Sequence, residues 1–265
     1  MADKSLDATT TTTTQTGIEA ELPSVVVREF EPKDQVHVQR IFYEGLMEMI
    51  SDTAFRGLRC HPESLLLYSA MAVVGFVVTA CWWVIGLLPA VVLCGRYFCS
   101  RRVIHAYLKQ AMKKDMGHIE EFYMKSPNSR LWVAVLEDQV VGVVAAVGQQ
   151  EARSSVELKR MSVDGRFRRR GVGLVLGWKV LEFAITRGYS TVVLGTTAYS
   201  PSAHQLYRRL GFQCTGVTNG YITPGATSSL FERIFYRVCH HYYSLEVKNI
   251  AIHRHPQTSV GVLTT

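Results

Sequence analysis

The segment Arg166-Phe-Arg-Arg-Arg-Gly-Val-Gly173 follows a strand-like run and opens a helical one, an arrangement suited to holding a pyrophosphate. Glycines at 171 and 173 let the main chain approach a ligand, and the first N–H groups of a helix have no internal partners, so they offer donors and the positive end of the helix dipole. Arg166, Arg168, Arg169 and Arg170 add positive charge. No Gly-Lys-Ser/Thr follows, so this is not a Walker A loop, and the third glycine of a dinucleotide fingerprint is missing. His204 and the pair His240-His241 have no carboxylate or cysteine at a ligand spacing, so no metal is expected.

The periodicity predicts the elements that position these groups. Val25 to Phe30 reads as a strand, and Glu31-Pro32-Lys33-Asp34 leads into an amphipathic helix through Ile41, Phe42, Leu46 and Met49. Leu131–Leu136 and Val140–Val147 form a hairpin about Glu137-Asp138-Gln139. A strand from Ser155 to Val163 precedes the loop, and a helix from Val172 carries its apolar stripe on Val172, Val175, Leu176, Val180, Phe183 and Ala184 before Gly188. A strand at 190–194, a helix at 200–210 stopped by Gly211, a strand at 212–217 and a mostly extended aromatic end at 230–247 complete the pattern. Strict alternation puts Glu157, Lys159 and Met161 on one face and Leu158, Arg160 and Ser162 on the other, so only one of Lys159 and Arg160 shares the face of Glu157.

The chain has 265 residues, 48% of them hydrophobic, and a formal net charge of +7. This composition excludes a wholly disordered or collagen-like chain, and no element reads as DNA-binding. Residues 1–24, with an unbroken Thr9–Thr14 run, are expected to be a disordered head. The six cysteines form no CxxC pair, which fits a reducing compartment. Between Glu63 and Arg96 no residue is charged. As one helix that run would measure roughly 48 Å, against a hydrocarbon core of about 30 Å, and Gly86 and Pro89 interrupt it. The reading is membrane attachment, as one tilted span or as a hairpin over 64–95, with Trp82 and Trp83 as lipid or interface anchors. Arg56 and Arg59 before it and Arg96, Arg101, Arg102 and Lys109 after it place both ends on the cytoplasmic side. The basic, amphipathic stretch after Ser100 is expected to lie along the membrane surface.

Arg168 to Gly173, after the strand Glu157–Val163, meets the pattern Arg/Gln-x-x-Gly-x-Gly/Ala and resembles motif A of the GCN5-related N-acetyltransferases. His204–Phe212 is similar to that family's later helix and strand, in which a tyrosine stands beside the coenzyme A thiol. An apolar insertion after the first helix resembles the camello-like, family 8 branch. Ile41–Leu46, Thr53–Arg59, Val156–Asp164, Val192–Ala198 and Pro224–Leu230 resemble its aspartate-acetylating members.

The resemblance implies an α/β fold with a mixed, mostly antiparallel sheet, a splayed central pair and flanking helices. It divides the chain into a first βα unit (25–60), the membrane insertion (61–99), the rest of the acetyltransferase domain (100–247) and a tail (248–265). It implies acetyl-CoA as co-substrate, no metal, and direct transfer to the amino group of L-aspartate in a ternary complex. Glu157 is then the base, directly or through a water, and Tyr207 the acid. Backbone N–H groups of Met161, Ser162 and Val163 polarise the thioester carbonyl, and Arg168, Arg169, Arg170, Gly171, Val172 and Gly173 hold the cofactor. Two substrate carboxylates need cationic partners, for which Arg56, Arg59, Lys159 and Arg160 are the candidates. The alternatives are acetylation of cysteine S-conjugates or protein lysines, and a non-catalytic membrane-bound acyl-CoA-binding module. The expected location is an endoplasmic reticulum or mitochondrial membrane, with the catalytic domain facing the cytoplasm and no nucleic-acid partner.

Overall fold

A computed structural model describes residues 25–60, 62–149, 154–218, 230–236 and 238–251. The Thr-rich head and residues 224–229 and 252–265 fall outside the described residues. The strands are β1 (Val26–Glu29), β2 (Ser129–Leu136), β3 (Gln139–Gly148), β4 (Ser155–Val163), β5 (Thr191–Thr197), β6 (Gln213–Thr218) and β7 (His240–Glu246). They form one sheet in the order β1-β2-β3-β4-β5-β7-β6. All neighbours pair antiparallel except β4 and β5, which run parallel over three residue pairs, Ser155 with Thr191 through Glu157 with Val193. This is the expected mixed, mostly antiparallel sheet with a central pair that parts.

The helices are α1 (Gln35–Ser51), α2 (Gly57–Cys60), α3 (Pro62–Thr79), α4 (Trp83–Lys113), α5 (Val172–Thr186), α6 (Pro201–Arg209) and α7 (Leu230–Phe235). The sheet carries one core on each face. Val38, Ile41 and Phe42 of α1 and Leu108 and Ala111 of α4 pack on Leu131, Val133, Val143 and Ala145. On the opposite face Val172, Leu176, Val180 and Ala184 of α5 pack on Trp132, Ala134, Val144 and Ala146. The two-residue turn between β2 and β3 holds Glu137 and Asp138 at φ 49° and 58°, the left-handed pair that matches the twist of a tight hairpin.

Four expectations need correction. The chain reverses at Ala80 (φ 49°), not at Gly86 or Pro89, and α4 runs unbroken through both residues. A proline costs a helix one hydrogen bond and bends it, whereas a left-handed residue ends it. Second, the basic stretch after Ser100 does not form a separate surface helix. It is the second half of α4, and its Val103, Ile104, Leu108 and Ala111 are buried against the protein. Third, among the described residues no helix is long and apolar enough to cross a membrane. The insertion is a helical hairpin of α3 and the first half of α4 whose Val77, Val78, Trp82 and Trp83 are 73–84% exposed. Fourth, the start of the extended aromatic end is the helix α7. It is held by the Tyr68 hydroxyl, which donates to the Ile234 carbonyl at 2.8 Å, and by Phe235 stacked on Tyr68.

Candidate active site

After Glu157 and Val193 the sheet opens between β4 and β5, and a cavity of about 870 Å³ occupies the gap. Its walls come from both faces of the sheet: Phe42, Tyr107 and Lys114 from the α1 and α4 side, Tyr207 and Tyr243 from the α6 side. The cavity therefore passes through the sheet where the backbone ladder has ended.

Glu157 and Lys159 line the cavity and form an ion pair at 3.0 Å, with each side chain about one-third exposed (31% and 39%). Arg160 stands on the same face, contrary to strict alternation. The register slips here, since Ala145 faces Lys159 but Val143 faces Ser162, so three steps on β4 answer two on β3. Arg160 takes the extra position at φ 54°, a left-handed conformation that costs a non-glycine residue on the order of 1–2 kcal/mol. Glu157, Lys159, Arg160 and Ser162 thus share one face, and Met161 turns to the face of Leu158, packed against the α5 core.

The Arg160 guanidinium donates to Asp115 through Nε (2.7 Å) and Nη2 (2.9 Å) and to the Tyr107 hydroxyl through Nη1 (2.5 Å), over the rings of Phe42 and Tyr107. Burial acts to lower its pKa, but the hydrogen bonds and charge of Asp115 overcome this and raise it, so the cation persists. Asp115 also accepts from the Tyr123 hydroxyl, whose pKa burial and that carboxylate push up. Arg160 is already paired with a carboxylate and does not serve as an open clamp. Arg56 pairs with Asp52 at 3.1 Å, is exposed and is absent from the cavity wall. The side chain of Arg59 lies outside the described residues. Lys114, at the end of the basic stretch that was expected along a membrane surface, lines the cavity and makes no ion pair among the described residues.

On the other side Tyr207 is buried, with its ring against Phe212 and Tyr243. Burial, with a smaller effect of Tyr243, pushes its pKa up to about 12, so the phenol stays a proton donor at neutral pH. Beside it the Tyr243 hydroxyl lies 2.8 Å from His204 Nδ1, while His204 Nε2 lies 3.0 Å from the Thr197 carbonyl. A carbonyl only accepts, so Nε2 carries the proton and Nδ1 accepts from Tyr243. Burial, then His241, lowers the His204 pKa and keeps the imidazole neutral. No sequence signal pointed to Tyr243, because its partner lies 39 residues away.

The Arg168–Gly173 loop is not on the cavity wall. Gly171 caps α5 at φ 81°, where a side chain is strained, and α5 has no acidic residue in its first turn. Arg168 pairs with Glu48 and donates from Nε to the Val163 carbonyl at 3.1 Å. Arg169 and Arg170 make no ion pair among the described residues. The turn before them is fixed by Asp164, whose carboxyl hydrogen bonds from Arg166 hold well below the usual range. Gly173 has a packing reason as well as a binding one: a Cβ there would stand 3.1 Å from Leu206 of α6, as one at Gly177 would stand 2.4 Å from Leu210.

A sheet parted at the one parallel pair among the described residues, with a helix N-terminus free of acidic residues on one side and a buried phenol on the other, suits acyl transfer. Residues 100–212 match the Acetyltransferase (GNAT) family. Human N-acetylaspartate synthetase is 50% identical over 224 residues, which cover 84% of this chain and 74% of its own. Mouse N-acetyltransferase 8 is 32% identical over 198 residues, 74% of this chain and 87% of its own. Among solved structures, an N-acetyltransferase from Staphylococcus aureus Mu50 aligns with 15% identity and a TM-score of 0.48, over 84% of this chain and 98% of its own. The chain belongs to the GNAT family of acetyltransferases and is an acetyl-CoA-dependent N-acetyltransferase. The residues present fit that co-substrate. Gly171, the first N–H groups of α5 and the cations of Arg169 and Arg170 suit its phosphates, and the gap beyond Glu157 suits its narrow thioester arm. Among the described residues no group of three His, Cys, Asp or Glu could hold a metal ion.

With the Tyr207 phenol protonated up to about pH 12, the rate of acetyl transfer is expected to show no alkaline decline below about pH 10. Tyr207→Phe is expected to lower kcat by about 10²-fold across the whole range. A wild-type decline near pH 8 that Tyr207→Phe abolishes would contradict the upward shift of the phenol, and full activity of Tyr207→Phe would contradict its role as the acid; a kcat–pH profile of both proteins checks both.

Proposed function

We propose that the chain is an aspartate N-acetyltransferase, moving acetyl from acetyl-CoA to the amino group of L-aspartate by direct transfer in a ternary complex. The observation that carries this reading is the single cavity that brings Glu157, Lys159 and Lys114 to the same opening as Tyr207. It is supported by the 50% identity to human N-acetylaspartate synthetase. An amine attacks a thioester only when neutral, so an ammonium group must first lose a proton. Glu157 takes that proton, directly or through a water. Lys114, which makes no ion pair among the described residues, meets one carboxylate of the acceptor, and Lys159 turns from Glu157 to the other as the acceptor enters; Arg56 and Arg160 are held by Asp52 and Asp115. Backbone at the bulge, in particular the N–H of Met161, which has no register partner on β3, stabilises negative charge on the acyl oxygen, and Tyr207 protonates the leaving sulfur. When bound, the co-substrate supplies the activated acetyl group. Phe42, Tyr107 and Tyr242 on the same wall favour the second reading, an acceptor with an apolar part such as a cysteine S-conjugate.

Released thiol, followed with acetyl-CoA and a panel of amino acids, cysteine conjugates and lysine peptides, separates these readings. Aspartate is expected to be the preferred acceptor. Lys159→Met should raise its KM about 10- to 100-fold, the loss expected for one charge-assisted hydrogen bond, and Glu157→Gln should lower kcat roughly 10²-fold. Preference for cysteine conjugates would move the protein to the second reading.

The exposed apolar hairpin suits attachment to a lipid surface without crossing it. Leu66, Val73, Val74, Val77, Val78 and Leu87 are all exposed, and the two arms meet near their bases, where Arg96 of α4 donates to the Tyr68 hydroxyl of α3. An exposed apolar surface of this extent calls for a partner. The catalytic domain then faces the cytoplasm from the endoplasmic reticulum or mitochondrial surface. Co-flotation with phospholipid vesicles is expected and should be lost in a Val77→Asp, Val78→Asp double variant; flotation unchanged by that variant would contradict hairpin attachment.

A further inference from the structure

We infer that Arg160 and Asp115 are positioning residues, whose ion pair holds the bulge of β4 in the shape that sets the oxyanion donor of the reaction. The inference rests on the acyl-transfer reading of the cavity and goes beyond it. Arg160 and Met161 have no register partner on β3, and β5 has parted from β4 three residues earlier. The ladder therefore holds the bulge only from its two sides, at Lys159 and Ser162, while the bulge itself lines the cavity where negative charge develops. Between those pairs the side chain of Arg160 supplies a further hold. Three of the five guanidinium N–H groups are occupied, by Asp115 and Tyr107, and the plane lies over two rings. The anchors belong to other elements: Phe42 to α1, Tyr107 to α4, Asp115 to the turn after α4, with Tyr123 fixing Asp115 in turn.

An arginine whose side chain is committed in this way, in a backbone conformation that disfavours side chains, is explained by its role as an anchor. A substrate clamp would leave the fork open. The lock also links α4 to the chemistry, since the helix that begins at the hairpin tip, Trp83, ends beside Asp115.

Asp115→Asn, Arg160→Lys and the double variant test this, provided each unfolds within a few degrees of wild type; where Asp115→Asn does not, Arg160→Lys carries the test. Loss of the oxyanion donor's placement should lower kcat about 10²- to 10³-fold, with the acceptor KM changed less than about threefold. Calorimetry supplies a readout free of turnover. Affinity for coenzyme A, which has no acetyl oxygen, should hold within about threefold, while affinity for acetyl-dethia-CoA, a ketone that keeps that oxygen, should fall about tenfold. The double variant should be no worse than the poorer single one. A large rise in acceptor KM at unchanged kcat would show a direct clamp, and equal loss of both ligands or additive losses in the double variant would likewise overturn the inference. The analogue binding needs no acceptor, so it stands even if aspartate is not the substrate.

Discussion

Strands β4 and β5 pair in parallel over three residue pairs and then separate, and most of what this molecule can do follows from that short ladder. Paired strands present a closed wall of backbone, and separated strands leave a slot whose edges carry unpaired N–H and C=O groups. Those groups must be kept open without collapse, which demands large side chains packed from both faces. The α1 and α4 helices supply them on one face and α5 and α6 on the other. Glycines 173 and 177 let α6 lie close enough on α5 to bring Tyr207 to the slot.

Much of this was legible in the residues. The glycines at 171 and 173 marked the loop before α5, the two-period runs give the strands, and the family resemblance singled out Glu157, which stands on the cavity wall. What alternation could not supply was the face of Arg160, because one extra residue in β4 reverses the phase and leaves no mark in composition. Lys114 was hidden by its neighbours, since a basic, amphipathic stretch reads equally as a lipid-facing surface or as the end of a core helix. Tyr243 and His204 meet across separate elements, and such pairings are set by tertiary structure alone.

The apolar insertion shows how a signal in composition differs from a signal in geometry. A long uncharged run states that side chains need apolar surroundings and does not state where the chain turns. Here the turn falls at a left-handed Ala80, and the second arm continues beyond the run as one helix of 31 residues. Its first half is exposed and apolar, and its second half packs in the catalytic domain's core. One rigid element thus belongs to both the surface that calls for a partner and the wall of the site.

The central claim is that one ligand spans the α5 N-terminus and the slot between β4 and β5. Amide hydrogen exchange of the protein, with and without coenzyme A, tests it most directly. The account predicts added protection in two segments together, the Arg168–Gly173 loop with the first turn of α5 and the backbone of Lys159–Val163, with little change in β1 and β2. Protection of the loop alone, or of neither segment, would contradict it.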